Sequence, residues 1–105
     1  LNVRHPKGLA VARRLVAMSD IVAEGFSPGV LDSWGLGYDK LKEIKPDIIY
    51  VQQSGMGAQG TYGRFRTVGP IANSFAGLSE MSGLPEPAMP AGWGYSYLDW
   101  MGAYS

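Results

Sequence analysis

Asp99 is the only acid among Trp93, Tyr95, Tyr97, Leu98, Trp100, Met101 and Tyr104. A carboxylate partly desolvated by aromatic rings, at a helix start after a Gly/Pro loop, has the surroundings of an active-site acid or nucleophile. The same spacing also fits a plain structural role. With Ser96 as N-cap, Asp99 falls at the third helical position, where free amides and the helix dipole favour an acid. A second candidate is the glycine-rich stretch that begins at Ser54, in which Gly55-Met-Gly57-Ala-Gln-Gly60 matches G-x-G-x-x-G. The dinucleotide reading of that pattern needs a helix that opens at once, to hold a pyrophosphate on its N-terminus. Here Thr61-Tyr-Gly-Arg-Phe-Arg-Thr67 continues as loop, so the stretch reads as a flexible or substrate-covering segment. Arg64 and Arg66 could meet phosphates or a carboxylate, or simply be solvated. His5 is the sole histidine and reads as a surface residue. With no cysteine in the chain, thiolate metal sites, disulfides and cysteine nucleophiles are excluded.

The elements that must position these residues follow from periodicity. Pro6 suits a first helical turn, and Leu9, Ala12, Leu15 and Val16 then recur at helical spacing, which predicts a helix over about 6–18. Asp20-Ile-Val-Ala-Glu24 reads as a buried strand, closed by a turn at Gly25 and Pro28. A short helix is expected at about 29–34, and Tyr38, Leu41 and Ile44 mark one face of another that ends at Pro46. Asp47-Ile-Ile-Tyr-Val-Gln52 is the clearest strand, apolar at four consecutive positions as expected when helices cover both faces. The order helix, strand, helix, helix, strand predicts parallel strands in a layered α/β sheet. The expected divisions are an α/β segment over 1–53, a glycine-rich loop over 54–69, a helix over 70–83 capped by Gly83, a Gly/Pro loop over 84–95, and the start of the Asp99 helix over 96–105.

Length bounds the organisation, because 105 residues suit one core or part of one rather than two independent domains. The 46% hydrophobic and 17% charged composition is that of a folded protein. No apolar run approaches the roughly 18 residues a membrane helix needs, and LNVRHPKG is not a signal peptide, so a soluble, cytoplasmic chain is expected. All nine Lys and Arg lie in residues 1–66. That density falls short of a duplex nucleic-acid face but suits a smaller polyanion such as a phosphorylated cofactor. The absence of an initiator Met, and a helix pattern only just begun at Gly102-Ala-Tyr-Ser105, suggest a piece of a longer protein.

The blocks Asp20-Ile-Val-Ala-Glu-Gly-Phe-Ser-Pro-Gly-Val30, Gly35-Leu-Gly-Tyr-Asp-Lys-Leu41, Lys45-Pro-Asp-Ile-Ile-Tyr50, Ser54-Gly-Met-Gly57 and Val68-Gly-Pro-Ile-Ala-Asn-Ser-Phe-Ala-Gly77, followed by Ser82-Gly83 and the Asp99 helix, occur in one order. That succession resembles the class III CoA transferases, the formyl-CoA transferase type related to α-methylacyl-CoA racemase. The resemblance spans nearly the whole sequence. It implies a Rossmann-like parallel sheet with flanking helices, from the large domain of an interlaced homodimer. The implied activity moves CoA from an acyl-CoA to a carboxylic acid, with coenzyme A as substrate and no metal, nucleic acid or membrane involved. Asp99 matches the aspartate that attacks the thioester, giving a mixed anhydride and then an aspartyl-CoA thioester.

Racemases of the superfamily pair that aspartate with a histidine, whose place here is held by Val68. An alkyl side chain cannot move a proton, so the transferase branch is favoured, with a racemase or a non-catalytic Rossmann-like or dimerisation module as the alternatives. Phe26 matches an aromatic that encloses CoA and is, with Trp34, the expected CoA-binding pair; Ser54, Gly55 and Gly57 form the expected substrate loop. The sequence departs from relatives that read Asn-Phe-Arg-Pro-Gly, having Gly25 and Ser27 in place of the asparagine and arginine. Ser33 stands where formyl-CoA transferases carry arginine, which implies a different hold on the CoA phosphates. The amino-terminal CoA-binding strand and the C-terminal glycine loop of relatives fall outside these residues.

Overall fold

The computed structural model describes residues 1–104. Length alone argued for a single core, yet the described residues divide into two compact units, the first over 1–54 and the second from 55 onward. The boundary lies at the start of the glycine-rich stretch, whose small residues carry few side chains to pack.

The first unit contains α1 (Pro6–Ala17), β1 (Ile21–Glu24), α2 (Val30–Ser33), α3 (Tyr38–Ile44) and β2 (Ile49–Gln52). Pro6 opens α1 where its missing N–H costs nothing, and the exposed His5 has a use after all: its Nδ1 accepts from Lys7 N at 3.2 Å and caps the helix. Leu41 is fully buried, and around it Val16, Leu31, Leu36 and Ile48 form the core, with Leu9, Ala12, Val22, Ile44 and Tyr50 packed against them. The strands pair in parallel, Ile21 opposite Ile49 through Glu24 opposite Gln52. Alternation turns Val22 and Tyr50 to the core, while Ile21, Ala23, Ile49 and Val51 share the other face and are exposed. Both faces of the second strand were expected to be covered. Within this unit the helices cover one face only. Lys45 Nζ pairs with Asp20 Oδ1 at 2.6 Å across the start of β1, and this hydrogen bond and charge hold the Asp20 carboxyl below its usual range.

In the second unit, residues 55–68 form no helix or strand, after which come α4 (Gly69–Phe75), α5 (Leu78–Met81), a short hairpin of β3 (Leu84–Pro85) and β4 (Ala88–Met89), and α6 (Tyr97–Ala103). The single helix expected over 70–83 is therefore two. Gly77 at φ +81° takes the left-handed conformation that ends one and starts the next, and only glycine adopts it without cost. Gly83, expected as the cap, yields that place to Ser82, and the Gly/Pro loop over 84–95 contains the hairpin. Ala72 and Asn73 are buried, and α4 packs against both α5 and α6.

Candidate active site

Of the residues singled out for chemistry, Phe26 and Trp34 are brought together. Their rings meet edge to face with centroids 5.3 Å apart, Phe26 on the turn that follows β1 and Trp34 at the end of α2. Phe26 is 48% exposed, an aromatic face open for contact at the carboxyl end of a parallel strand, which is where open α/β sheets bind ligands. The Arg4 guanidinium lies 5.8 Å from the centre of the Trp34 ring, and Arg13 Nη2 lies against Gly35, so two cations border the aromatic pair. Composition hinted at them only as basic residues near the amino terminus.

The turn itself is fixed by a residue that periodicity did not mark. Glu24 is 9% exposed; its Oε2 accepts from Phe26 N at 2.5 Å, and its Oε1 accepts from Gln52 Nε2 at 2.7 Å and Tyr50 OH at 3.1 Å. Burial together with the Glu24 bond pushes the Tyr50 phenol up to about 12. A carboxylate closing an otherwise apolar strand was the one available signal.

The expected substrate loop begins at Ser54, whose Oγ is buried with no hydrogen-bond partner among the described residues. A side chain at Gly55 would collide with Thr67, so the two ends of the loop come together. Gly57 has φ +72°. Within the loop Tyr62 packs edge to face on Phe75 of α4, with centroids 5.1 Å apart.

Asp99 stands at the third position of α6, with Ser96 at the N-cap as the spacing required. Ser96 supplies no side-chain cap bond. The cap comes instead from Asn73 of α4, whose Oδ1 accepts from Leu98 N at 3.4 Å; Asn73 is only 3% exposed. The expected enclosure of Asp99 by aromatics is not what the unit shows: Asp99 is exposed. Trp93, Tyr95 and Tyr97 cluster with one another, Trp93 and Tyr97 at 4.6 Å, and Tyr97 lies two residues from Asp99, a spacing that puts the two on different sides of a helix. Trp93 Nε1 also donates to Ser82 Oγ at 2.5 Å. Beside the start of α6 opens a cavity of about 500 Å³ lined by Asn73, Ser74, Ser79, Trp93, Tyr95 and Ser96 among others. Gly69 lets α4 approach: a Cβ there would collide with Ser96. Val68, the residue before Gly69, is the N-cap of α4 and is exposed. Among the described residues no three His, Cys, Asp or Glu come together, and no helix is long and apolar enough to cross a membrane.

With a parallel α/β unit followed by this helix pair, the chain matches CoA-transferase family III over residues 1–105, and it belongs to that family. It is 38% identical over 86 residues to the beta subunit of succinyl-CoA–L-malate CoA-transferase of Chloroflexus aurantiacus, covering 82% of this chain and 21% of that one. It is 33% identical over 99 residues to human succinyl-CoA:glutarate CoA-transferase, covering 94% and 22%. Among solved structures, a CAIB/BAIF family protein from Brucella suis superposes with a TM-score of 0.88 at 34% identity, covering 99% of this chain and 28% of that one. The chain thus spans about a fifth of the length of these curated relatives.

Proposed function

We propose that these residues serve a CoA transferase that moves CoA from an acyl-CoA to a carboxylic acid, with Asp99 as the covalent nucleophile. The observation that carries the reading is an exposed carboxylate on a helix whose start is held by the buried Asn73, in a family whose relatives are named as transferases between succinyl-CoA and carboxylic acids. In the proposed sequence the Asp99 carboxylate adds to the thioester carbonyl, the C–S bond breaks, and CoA thiolate leaves a mixed anhydride. The thiolate then attacks the aspartyl carbonyl, releasing the donor acid and forming an aspartyl-CoA thioester. The acceptor carboxylate attacks this thioester to give a second anhydride and thiolate, and thiolate attack on the acceptor's acyl carbon forms the new thioester and restores Asp99. No water or proton enters the balance. A carboxylate suits the task because the anhydride it forms is activated enough for thiolate to attack.

Phe26 and Trp34 are the CoA contacts in this reading, and the loop at Ser54, Gly55 and Gly57 shapes the acyl pocket. An anhydride on a carboxylate open to water would hydrolyse, so the reading requires Asp99 to be covered in the working enzyme. A homodimer in which further polypeptide closes over α6 meets that requirement. Val68 argues against the racemase alternative, since it stands where the resemblance places a racemase histidine and an alkyl side chain cannot carry a proton.

The test is Asp99→Ala in the full-length enzyme. Loss of the nucleophile lowers CoA exchange by on the order of 10³-fold or more, with melting nearly unchanged because an acid at this position contributes at most about 1 kcal/mol. Comparable turnover in the variant and its parent would sink the assignment.

A further inference from the structure

Glu24 lies outside the chemistry just described, yet it is the most completely bonded carboxylate in its unit. It is buried, and the ion pairs among the described residues, Lys40–Glu43 and Lys45–Asp20, leave it out, so its charge is met by hydrogen bonds. Those bonds come from two places. On one oxygen are Gln52 and Tyr50 of the neighbouring strand; on the other is the amide of Phe26, two residues on, at 2.5 Å. The backbone completes the junction, Gln53 N donating to Glu24 O at 2.9 Å. A short, charge-assisted bond to an amide in a turn fixes the direction in which the next side chain leaves the backbone. That side chain is the Phe26 ring, half exposed and braced edge-on by Trp34.

We propose that Glu24 is a positioning residue for the CoA contact: it ties the turn after β1 to the strand pair so that the Phe26 ring is presented in one orientation. The proposal rests on the reading of Phe26 as a CoA contact. Neutralising the carboxylate keeps the volume of the side chain but leaves one acceptor oxygen where two now face donors on opposite sides. The turn then loses either its tether to the sheet or part of its strength.

The experiment measures the Kd for CoA by calorimetry, kcat for CoA exchange and the melting temperature, all on the full-length enzyme. The variants are Glu24→Gln, Phe26→Ala, the pair together, and Tyr50→Phe. Glu24→Gln weakens CoA binding by about tenfold while kcat changes by less than about threefold. In the Phe26→Ala background the same substitution has no further effect on Kd, because the ring it positions is gone. Tyr50→Phe removes a bond on the strand side only, so it shifts melting without moving Kd. Three results would overturn the proposal. If Glu24→Gln leaves Kd unchanged while Phe26→Ala raises it, Phe26 contacts CoA but Glu24 does not position it. If the two effects multiply, or if Tyr50→Phe weakens CoA binding as much as Glu24→Gln, the role of Glu24 is general support of the sheet. If Phe26→Ala itself leaves Kd unchanged, the CoA-contact reading fails and the proposal falls with it.

Discussion

Adding one methyl group at Gly69 tests whether the junction between α4 and α6 positions the candidate nucleophile. Gly69 has an ordinary helical-start backbone, so alanine removes freedom from the unfolded chain and on that account alone would stabilise by about 0.4–1 kcal/mol. The surroundings oppose it. The new Cβ would collide with the Ser96 side chain and would lie 2.7 Å from Ser96 Cα, against a floor of 3.4 Å for ordinary packing, so the backbone at the N-cap of α6 must retreat by ~0.7 Å. Overpacking of this kind costs about 1–3 kcal/mol, leaving a net loss between about 0 and 2.6 kcal/mol. The consequence for chemistry is larger, because Asp99 is three residues beyond Ser96 and misplacement near 1 Å can cost about 100-fold in rate. Gly69→Ala in the full-length enzyme is expected to lower kcat for CoA exchange by about 10- to 100-fold, with a small drop in melting temperature. Ser96→Gly alone should be nearly silent, since that side chain makes no cap bond. Combined with Gly69→Ala it should restore only part of the activity, because the new methyl still presses on the backbone of residue 96. A kcat within twofold of the parent, with unchanged melting, would show that the packing of α4 on α6 does not set the position of Asp99.

The transferase reading predicts that the full-length enzyme exchanges CoA between carboxylates without washing deuterium into the α-position of a 2-methylacyl-CoA in D₂O, as mass spectrometry would show; rapid Asp99-dependent deuteration without exchange would reverse the choice between transferase and racemase. Tyr50 supplies a pH signature. Its folded pKa of about 12 lies above the ordinary value of 10, so its contribution to stability is whole below pH 10 and is lost as pH rises from there towards 12; a phenolate absorbance step near pH 12, absent from Tyr50→Phe, is the check, and its presence in that variant would refute the assignment.

The order of elements in the first unit was legible because its signals are local: the apolar run at 48–51, Pro6 and Pro46 as punctuation, and the spacing of Leu41 and Ile44 on one helix face. What escaped reading depends on partners far away in the chain. Asn73 looks like an unremarkable polar residue in an apolar helix until its oxygen is found on the Leu98 amide, 25 residues on. Glu24 reads as a strand terminus, and only pairing with a strand 28 residues later brings Gln52 to it. The split at Gly77 was missed for a different reason: a small residue on a helix face signals close packing as readily as a left-handed stop, and sequence does not separate the two. The supposed shelter of Asp99 was an error of geometry, since neighbours in sequence on a helix point in different directions. The placement of Asp99 at the third helical position was legible because capping is itself a local rule.

The meeting of Gly55 with Thr67 closes the loop at its base, leaving the packing of Tyr62 on Phe75 as a tether from its interior to α4. A loop whose ends already touch can gain or lose residues without moving its anchors, and doubling its length costs only about 0.6 kcal/mol of closure entropy. The residues of 56–66 other than the Tyr62 anchor can therefore change in number and kind at little thermodynamic penalty, provided that position 55 keeps a residue without a side chain. Drift in this segment on either side of Tyr62 is a low-cost route by which related chains could diverge while the helices that follow stay the same.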